Sequence, residues 1–131
     1  MNVLYFDGAA DPNPGHASFG FSHMIDEKEV AFSCGYIGVS TNNVAEYTAL
    51  LKALEYCKLN NVTDAQIFGD SLLVVNQMNG TWKTKSDHLL PLQKVCKNLA
   101  SELGAQVRWV SRVQNSRADY LSKVPVSLLL P

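Results

Sequence analysis

The chain has 131 residues, of which 47% are hydrophobic and 18% charged, and its formal net charge is −1. A chain of this length forms one domain and buries a core without needing disulfides or a structural metal. The near-neutral charge argues against a protein that binds nucleic acid mainly through a basic surface. It still allows a local basic cluster, or an acidic site that holds metal ions.

The three cysteines are odd in number and form no CxxC pair, which argues against zinc-ribbon or thioredoxin-like chemistry and favours a reducing compartment. The first residues, MNVLYFDGAA, lack the basic start of a signal peptide, and no apolar run is long enough to span a bilayer. We therefore expect a cytoplasmic protein that has no contact with membranes. We also expect a monomer that needs no obligate protein partner.

The N-terminal third predicts three strands. Val3–Ala9 alternates between two faces and places Asp7 on the same face as Val3 and Tyr5. The next two strands, Ser18–Ile25 and Glu29–Ile37, are joined by a short polar turn, which favours an antiparallel meander.

The remainder predicts alternating helices and strands. In chain order these are a helix over Asn43–Leu59, a strand over Ala65–Gly69, a helix from Asp70 to about Gly80, a helix over Ser86–Leu103, a strand over Gln106–Val110 and a helix over Ser116–Lys123. Asn42 or Asn43 is the predicted N-cap of the first helix, Pro91 fits the first turn of the third, and Gly104 is its predicted C-cap.

The element order is therefore βββαβααβα within one domain over residues 1–131. Because a helix precedes each of the last two strands, those strands are expected to pair in parallel. The predicted fold class is α/β: a mixed sheet of three antiparallel strands followed by two parallel ones, with helices on both faces. The apolar segment 124–131 is expected to form a short tail that packs locally.

Four acidic residues stand at unusual positions: Asp7, Glu46, Asp70 and Asp119. Glu46 heads an apolar stripe of the first helix, where an unpaired carboxylate is costly. Each acid also has an ordinary explanation. Asp70 could cap a helix, Glu46 could complete a capping box with Asn43, and Asp119 could pair with Arg117 or Lys123.

Taken together, the four acids favour a metal site. Ligand sites in open α/β sheets form at the carboxyl ends of strands, where Asp7 and Asp70 are expected to be neighbours. Converging carboxylates cannot all ionise without a counter-cation, and oxygen donors without His or Cys suit Mg²⁺. Three or four such acids favour two ions and phosphodiester hydrolysis.

Four segments, FDGAADPNPG, STNNVAEYTALLKAL, GDSLLVVNQMNG and WVSRVQNSRADYLS, resemble type 1 ribonuclease H in order and in spacing. The resemblance covers essentially the whole chain. It implies a ribonuclease H-like fold and an endonuclease that cuts the RNA strand of RNA–DNA hybrids, as in removing R-loops and primer RNA. It also implies 5′-phosphate and 3′-hydroxyl products and two Mg²⁺ ions, for which Mn²⁺ can substitute.

The resemblance assigns catalysis to Asp7, Glu46, Asp70 and Asp119, and metal binding to these acids together with Gly8. It also implies a set of polar substrate contacts, among which Glu46 would meet the 2′-hydroxyl that marks RNA. The other predicted contacts are Asn13, Thr41, Asn42, Asn43, Ser71, Gln77 and Asn115. Turn and cap chemistry also explains these Asn, Ser and Thr residues.

The sequence departs from the better-known bacterial pattern. The loop Ser111–Ala118 lacks the family's His, and Arg112 is the candidate for assisting at the scissile phosphate. Arginine cannot serve there as a general base, because it stays protonated at ordinary pH. The basic segment between the second and third helices is absent, which resembles the compact form of the family.

Only TWKTK separates those two predicted helices. Trp82, Lys83 and Lys85 remain there as a small aromatic and basic patch that could meet the DNA strand. Trp82 could equally be a residue at the rim of the core.

Two alternatives stay open. One is a DNA-directed nuclease or an integrase-like enzyme on the same fold, and TNNVAEY argues against it because that segment matches the 2′-hydroxyl-reading part of the family. The other is a non-catalytic hybrid-binding module. Retention of all four acids argues against that module, because without a metal they would only repel one another.

Overall fold

The structure, a computed structural model, describes residues 1–129. Its strands are β1 (Asn2–Asp11), β2 (Gly15–Ile25), β3 (Lys28–Ser40), β4 (Gln66–Gly69) and β5 (Gln106–Trp109). They form one sheet in the order β3-β2-β1-β4-β5. The first three strands pair antiparallel, whereas β4 runs parallel to β1 and β5 runs parallel to β4. The predicted fold class is therefore confirmed.

The helices are α1 (Asn42–Leu59), α2 (Leu72–Met78), α3 (Leu90–Leu103) and α4 (Ser116–Ser127), and a 3₁₀ turn over Val113–Asn115 precedes α4. Helices cover both faces of the sheet. Gly8 of β1 packs against the backbone of Ala45 in α1, while Gly20 of β2 packs against Leu121 in α4. Gly20 is the cross-strand partner of Asp7, so Asp7 and Gly8 point to opposite faces.

The core lies between the sheet and α1. The apolar stripe that Glu46 heads is fully buried, as its helical spacing predicts, and consists of Ala49, Leu50, Ala53, Leu54 and Cys57. It packs with Leu4, Phe6 and Ile67 of the two central strands. The stripe therefore places α1 on the sheet so that its first turns reach the end of β1.

The two central strands separate just before the acids. β1 pairs with β4 from Val3↔Gln66 to Phe6↔Gly69, and the pairing ends there. Asp7 and Asp70 each follow the last paired residue of their strand. Because the strands run parallel, both side chains stand at the same edge of the sheet, as expected for a switch between the antiparallel and parallel halves.

Three predicted boundaries need correction. Thr41, rather than Asn42 or Asn43, caps α1: its Oγ1 accepts the Val44 amide hydrogen at 3.2 Å. α3 begins at Leu90 rather than Ser86, because residues 86–89 form a turn closed by hydrogen bonds to the Ser86 carbonyl. The connection to α2 is therefore longer than TWKTK, although Pro91 and Gly104 do occupy the predicted first turn and C-cap.

The predicted tail also needs correction. Residues 124–127 continue α4, which contains Pro125 in its last turn. A proline removes one backbone hydrogen bond, and because the helix ends two residues later, this loss does not stop α4 at the predicted Lys123. Leu130 and Pro131, the end of the predicted tail, lie outside the described residues.

No helix within residues 1–129 combines the length and the apolar character that a membrane span needs.

Substitution of Gly8 tests the close approach of α1 to β1. We expect Gly8→Ala to destabilise the protein by about 1–3 kcal/mol, because a Cβ there would fall on the Ala45 carbonyl. Elsewhere a compatible glycine-to-alanine change stabilises by about 0.4–1 kcal/mol, so the sign itself is diagnostic. Urea unfolding measures it, and an unchanged or increased free energy of unfolding would contradict the packing described.

Candidate active site

Three carboxylates converge at the end of the parallel strand pair. Asp7, Glu46 and Asp70 each offer an oxygen within 4.8 Å of the others. Glu46 comes from the first turns of α1, on the other side of the sheet from the Asp7 side chain. It reaches the cluster beyond the point where β1 and β4 stop pairing. The predicted convergence of these three acids is therefore observed.

The backbone amide of Gly8 fixes two of the acids. It donates to Glu46 Oε1 at 2.6 Å and to Asp7 Oδ1 at 3.0 Å. Glu46 is therefore hydrogen-bonded to the Gly8 amide of β1, and the predicted capping box with Asn43 does not form. Gly8 as a metal ligand stays a prediction. Its observed contacts are those of a hydrogen-bond donor that joins two carboxylates.

Burial and mutual repulsion set the charge of the cluster. The pKa of Asp7 is raised to about 7, chiefly because burial disfavours the charged form. The charges of Asp70 and Asp119 act in the same direction, against the hydrogen bond with Glu46. The pKa of Glu46 is raised well above its ordinary value, by burial first and then by Asp7. Without a cation, the Asp7–Glu46 pair therefore retains a proton near neutral pH.

The cluster has the donors of a hard divalent cation. Its three ligand atoms are carboxylate oxygens, the type that Mg²⁺ and Mn²⁺ prefer, and no His or Cys belongs to the group. A bound dication would also remove the cause of the raised pKa values, because positive charge favours the ionised carboxylates. The residues present thus fit the metal that the sequence predicts.

Asn115 is a buried brace rather than a predicted substrate contact. It is 1% exposed, and its Nδ2 donates to the Phe6 carbonyl at 2.9 Å and to Asp70 Oδ2 at 3.1 Å. It thus ties the end of β1 to the Asp70 carboxylate. The Trp109 indole also donates to the Asp70 carbonyl, at 3.2 Å. Sequence reasoning did not predict these two hydrogen bonds to Asp70, because Trp109 and Asn115 both lie far from Asp70 in the chain.

Asp119 borders the cluster from α4. It lines a cavity of about 380 Å³ together with the three converging acids, Arg112 and Lys123. Lys123 Nζ lies 3.1 Å from Asp119 Oδ2, so the alternative of a lysine pair is observed, while the catalytic and metal-binding role of Asp119 stays a prediction. Arg117 instead pairs with Glu29. The buried Ser122 hydroxyl, not predicted, lies 2.7 Å from the Asp119 carbonyl oxygen and 3.4 Å from Asp7 Oδ2.

A second cavity adjoins the acidic one. It measures about 580 Å³, and Asn43 lines both cavities, while Asn13 and Thr41 line only the second. Asn42 is held between its neighbours: its Oδ1 accepts the Ala10 amide at 2.7 Å, and its own amide donates to Asn13 Oδ1. The four predicted polar residues therefore form one continuous rim beside the acids, and His88, which was not predicted, extends it.

The remaining predicted contacts divide into buried and exposed residues. Gln77 is wrong as a surface contact: it is 5% exposed and accepts the Tyr47 hydroxyl at 2.6 Å. Ser71 caps α2 through the Val74 amide. Trp82 is 46% exposed, which disfavours a place in the core. Lys83 and Lys85 are also exposed, and among residues 1–129 neither forms an ion pair.

A family model described as reverse transcriptase-like matches residues 5–124. Among curated proteins, the bifunctional protein Rv2228c of Mycobacterium tuberculosis is 38% identical over 128 residues, which are 92% of this chain and 34% of that protein. Ribonuclease HI of Halobacterium salinarum is 36% identical over 120 residues, 90% of this chain and 60% of the relative. The chain thus spans from one third to three fifths of these relatives.

Two solved structures superpose closely on this chain. RNase H1 of H. salinarum superposes with a TM-score of 0.90 at 35% identity, covering 96% of this chain and 97% of that one. LC11-RNase H1, solved in complex with an RNA/DNA hybrid, gives a TM-score of 0.93 at 30% identity and complete coverage of both chains.

Neutralising Asp7 should stabilise the metal-free protein. Because its folded pKa lies above the unfolded one, stability falls as pH rises from about 4 through 7. We expect Asp7→Asn to raise the free energy of unfolding at pH 8 by on the order of 2 kcal/mol, an effect that fades towards pH 4. Urea unfolding in EDTA measures it, with Asp87→Asn, an exposed turn residue, as control. Equal effects of the two variants would contradict the buried cluster.

Removing the Asn115 brace should destabilise the fold. Asn115→Ala leaves the Phe6 carbonyl without that donor in a buried place, so we expect a loss of about 1–3 kcal/mol in the free energy of unfolding. Gln114→Ala, one residue away and exposed, is the matched control. If both variants lost the same small amount, Asn115 would not hold β1 to Asp70.

Proposed function

Because the chain belongs to the ribonuclease H family, we propose that it is an endonuclease that hydrolyses the RNA strand of RNA–DNA hybrids. The proposed products carry 5′-phosphate and 3′-hydroxyl ends, as in the removal of R-loops and primer RNA. The observation that carries the proposal is the convergence of Asp7, Glu46 and Asp70 in an open cavity rimmed by amide and hydroxyl side chains.

Asp7, Glu46, Asp70 and Asp119 are the residues that would hold Mg²⁺, or Mn²⁺ in its place, as two ions. Bound there, the metal supplies Lewis acidity at the phosphodiester and lowers the pKa of an attacking water. The chain's own contribution is to hold the carboxylates ready. The Gly8 amide orients Asp7 and Glu46, and Asn115 orients Asp70.

Arg112 is the cation we propose to meet the scissile phosphate. It lines the acidic cavity, and the loop that contains it has no histidine. A guanidinium can stabilise negative charge on phosphate oxygens through paired hydrogen bonds, but it cannot accept a proton at ordinary pH. Proton transfer in this protein is therefore proposed to pass between the substrate and solvent water.

The rim beside the acids supports selection of the RNA strand. Asn13, Thr41, Asn42 and Asn43 follow one path along two adjoining cavities, with amide and hydroxyl groups suited to sugar and phosphate oxygens. The 2′-hydroxyl is the group that separates RNA from DNA, and Glu46 stands where this path meets the acids.

The exposed patch of Trp82, Lys83 and Lys85 is the proposed contact for the DNA strand, by stacking on the sugars and by phosphate pairing. Because this patch has only two lysines and the net charge of the chain is −1, we propose that hybrid binding is weak and sensitive to salt.

The acids and the polar rim of the proposed site all come from one chain, which supports our proposal that it acts as a monomer. All three cysteines are free in the described residues, in keeping with a proposed location in the reducing cytoplasm. Some relatives are longer than this chain, and the proposal does not extend to activities of their additional sequence.

Cleavage of labelled duplexes tests the proposed function. End-labelled RNA–DNA hybrid, duplex DNA and duplex RNA are incubated with Mg²⁺ or with EDTA, and the products are resolved on a denaturing gel. We expect only the RNA strand of the hybrid to be cut, only with metal, and Asp70→Asn to reduce the rate by at least about 100-fold.

Lys52→Met, an exposed change on α1 away from the acids, is the matched control and should retain wild-type cleavage. Equal cutting of duplex DNA would favour the DNA-directed alternative instead. Metal-dependent hybrid binding without any cleavage would favour the binding-module alternative.

A further inference from the structure

The fourth acid has a cation of its own. Lys123 stands one turn after Asp119 on α4, and its ammonium lies 3.1 Å from Asp119 Oδ2. Both side chains line the acidic cavity, yet Lys123 was not expected to belong to it. Among residues 1–129, Asp7, Glu46 and Asp70 form no ion pair.

Asp119 lies beside the group of three acids that could share one metal ion and does not belong to it. The group whose oxygens lie within 4.8 Å of one another consists of Asp7, Glu46 and Asp70. Asp119 nevertheless lies close enough for its charge to raise the pKa of Asp7. Within residues 1–129, the cavity therefore contains three clustered carboxylates that form no ion pair and one neighbouring carboxylate that does.

We propose that Lys123 is a positioning residue that competes with a divalent ion for the Asp119 carboxylate. An ammonium within hydrogen-bond distance occupies Oδ2, and a cation that uses this oxygen must displace it. The biological meaning of this inference rests on the proposed function. Lys123 would weaken ion binding at Asp119 without weakening ion binding at the cluster of Asp7, Glu46 and Asp70.

The expected size follows from the exposure of the pair. The side chains of Lys123 and Asp119 are 56% and 26% exposed, so the pair is partly screened by water. Pairs of this kind have a modest strength, which corresponds to a change of about 2- to 5-fold in a competing equilibrium. Loss of the Lys123 ammonium should therefore tighten binding of the ion that uses Asp119 by about that factor.

Mn²⁺ binding to the whole chain tests this without any substrate. Electron paramagnetic resonance measures free Mn²⁺ during a titration from micromolar to millimolar concentrations. We expect Lys123→Met to bind more Mn²⁺ than wild type in the weaker binding phase, which is that of the ion at Asp119. The Mn²⁺ concentration at the midpoint of this phase should be about 2- to 5-fold lower. Lys123→Arg, which keeps the charge, should stay close to wild type.

Two comparisons separate a direct competition from a general change in charge. Lys52→Met removes a lysine from the Lys52–Glu55 pair of α1 and should leave Mn²⁺ binding unchanged. In an Asp119→Asn background, Lys123→Met should have no further effect, because the contested carboxylate is gone. An equal shift in both backgrounds would overturn the proposal, as would equal Mn²⁺ binding by wild type and Lys123→Met.

Hybrid cleavage gives an independent readout. The Mg²⁺ concentration for half-maximal cleavage should fall by about the same 2- to 5-fold in Lys123→Met, and an unchanged or higher concentration would overturn the proposal. If wild type cut no hybrid while the Mn²⁺ shift were present, the proposed function would fail and the competition at Asp119 would stand.

Discussion

The site depends on one backbone amide. Gly8 donates to both Asp7 and Glu46, and it does so because the pairing of β1 with β4 ends two residues earlier, at Phe6. That freed amide faces the first turns of α1, which only a glycine allows to approach so closely. The constraint joins secondary structure to chemistry. The position of α1 is set by its apolar stripe, and the position of Glu46 follows from it.

The carboxylates are held at a cost that the rest of the fold offsets. Burial and mutual repulsion raise the pKa of Asp7 and of Glu46. Ionisation of these carboxyl groups in the metal-free chain therefore lowers its free energy of unfolding. The core beneath α1 and the brace from Asn115 keep the acids together despite this repulsion. The carboxylates of the candidate metal site are therefore held in place before any cation binds.

Sequence patterns could predict the sheet, the order of elements and the four acids, because each has a periodic or positional signal. The stripe headed by Glu46 is the clearest case, since helical spacing alone shows that the acid faces the core. Gln77 and Asn115 show where such prediction ends. A polar residue type does not reveal whether its partner is a nucleic acid or a distant part of the same chain, here Tyr47 and Asp70. The length of α4 was missed for another reason: a proline near a helix end removes one bond without ending the helix.

The buried carboxylate pair has a consequence for the life of the protein in the cell. A ligand that binds only the folded state adds to its stability in proportion to the logarithm of its concentration. Since the cluster destabilises the metal-free chain, a divalent ion bound there would also act as a folding ligand. The lifetime of the folded chain against proteases would then follow the supply of that ion, because the metal-free chain would unfold more often.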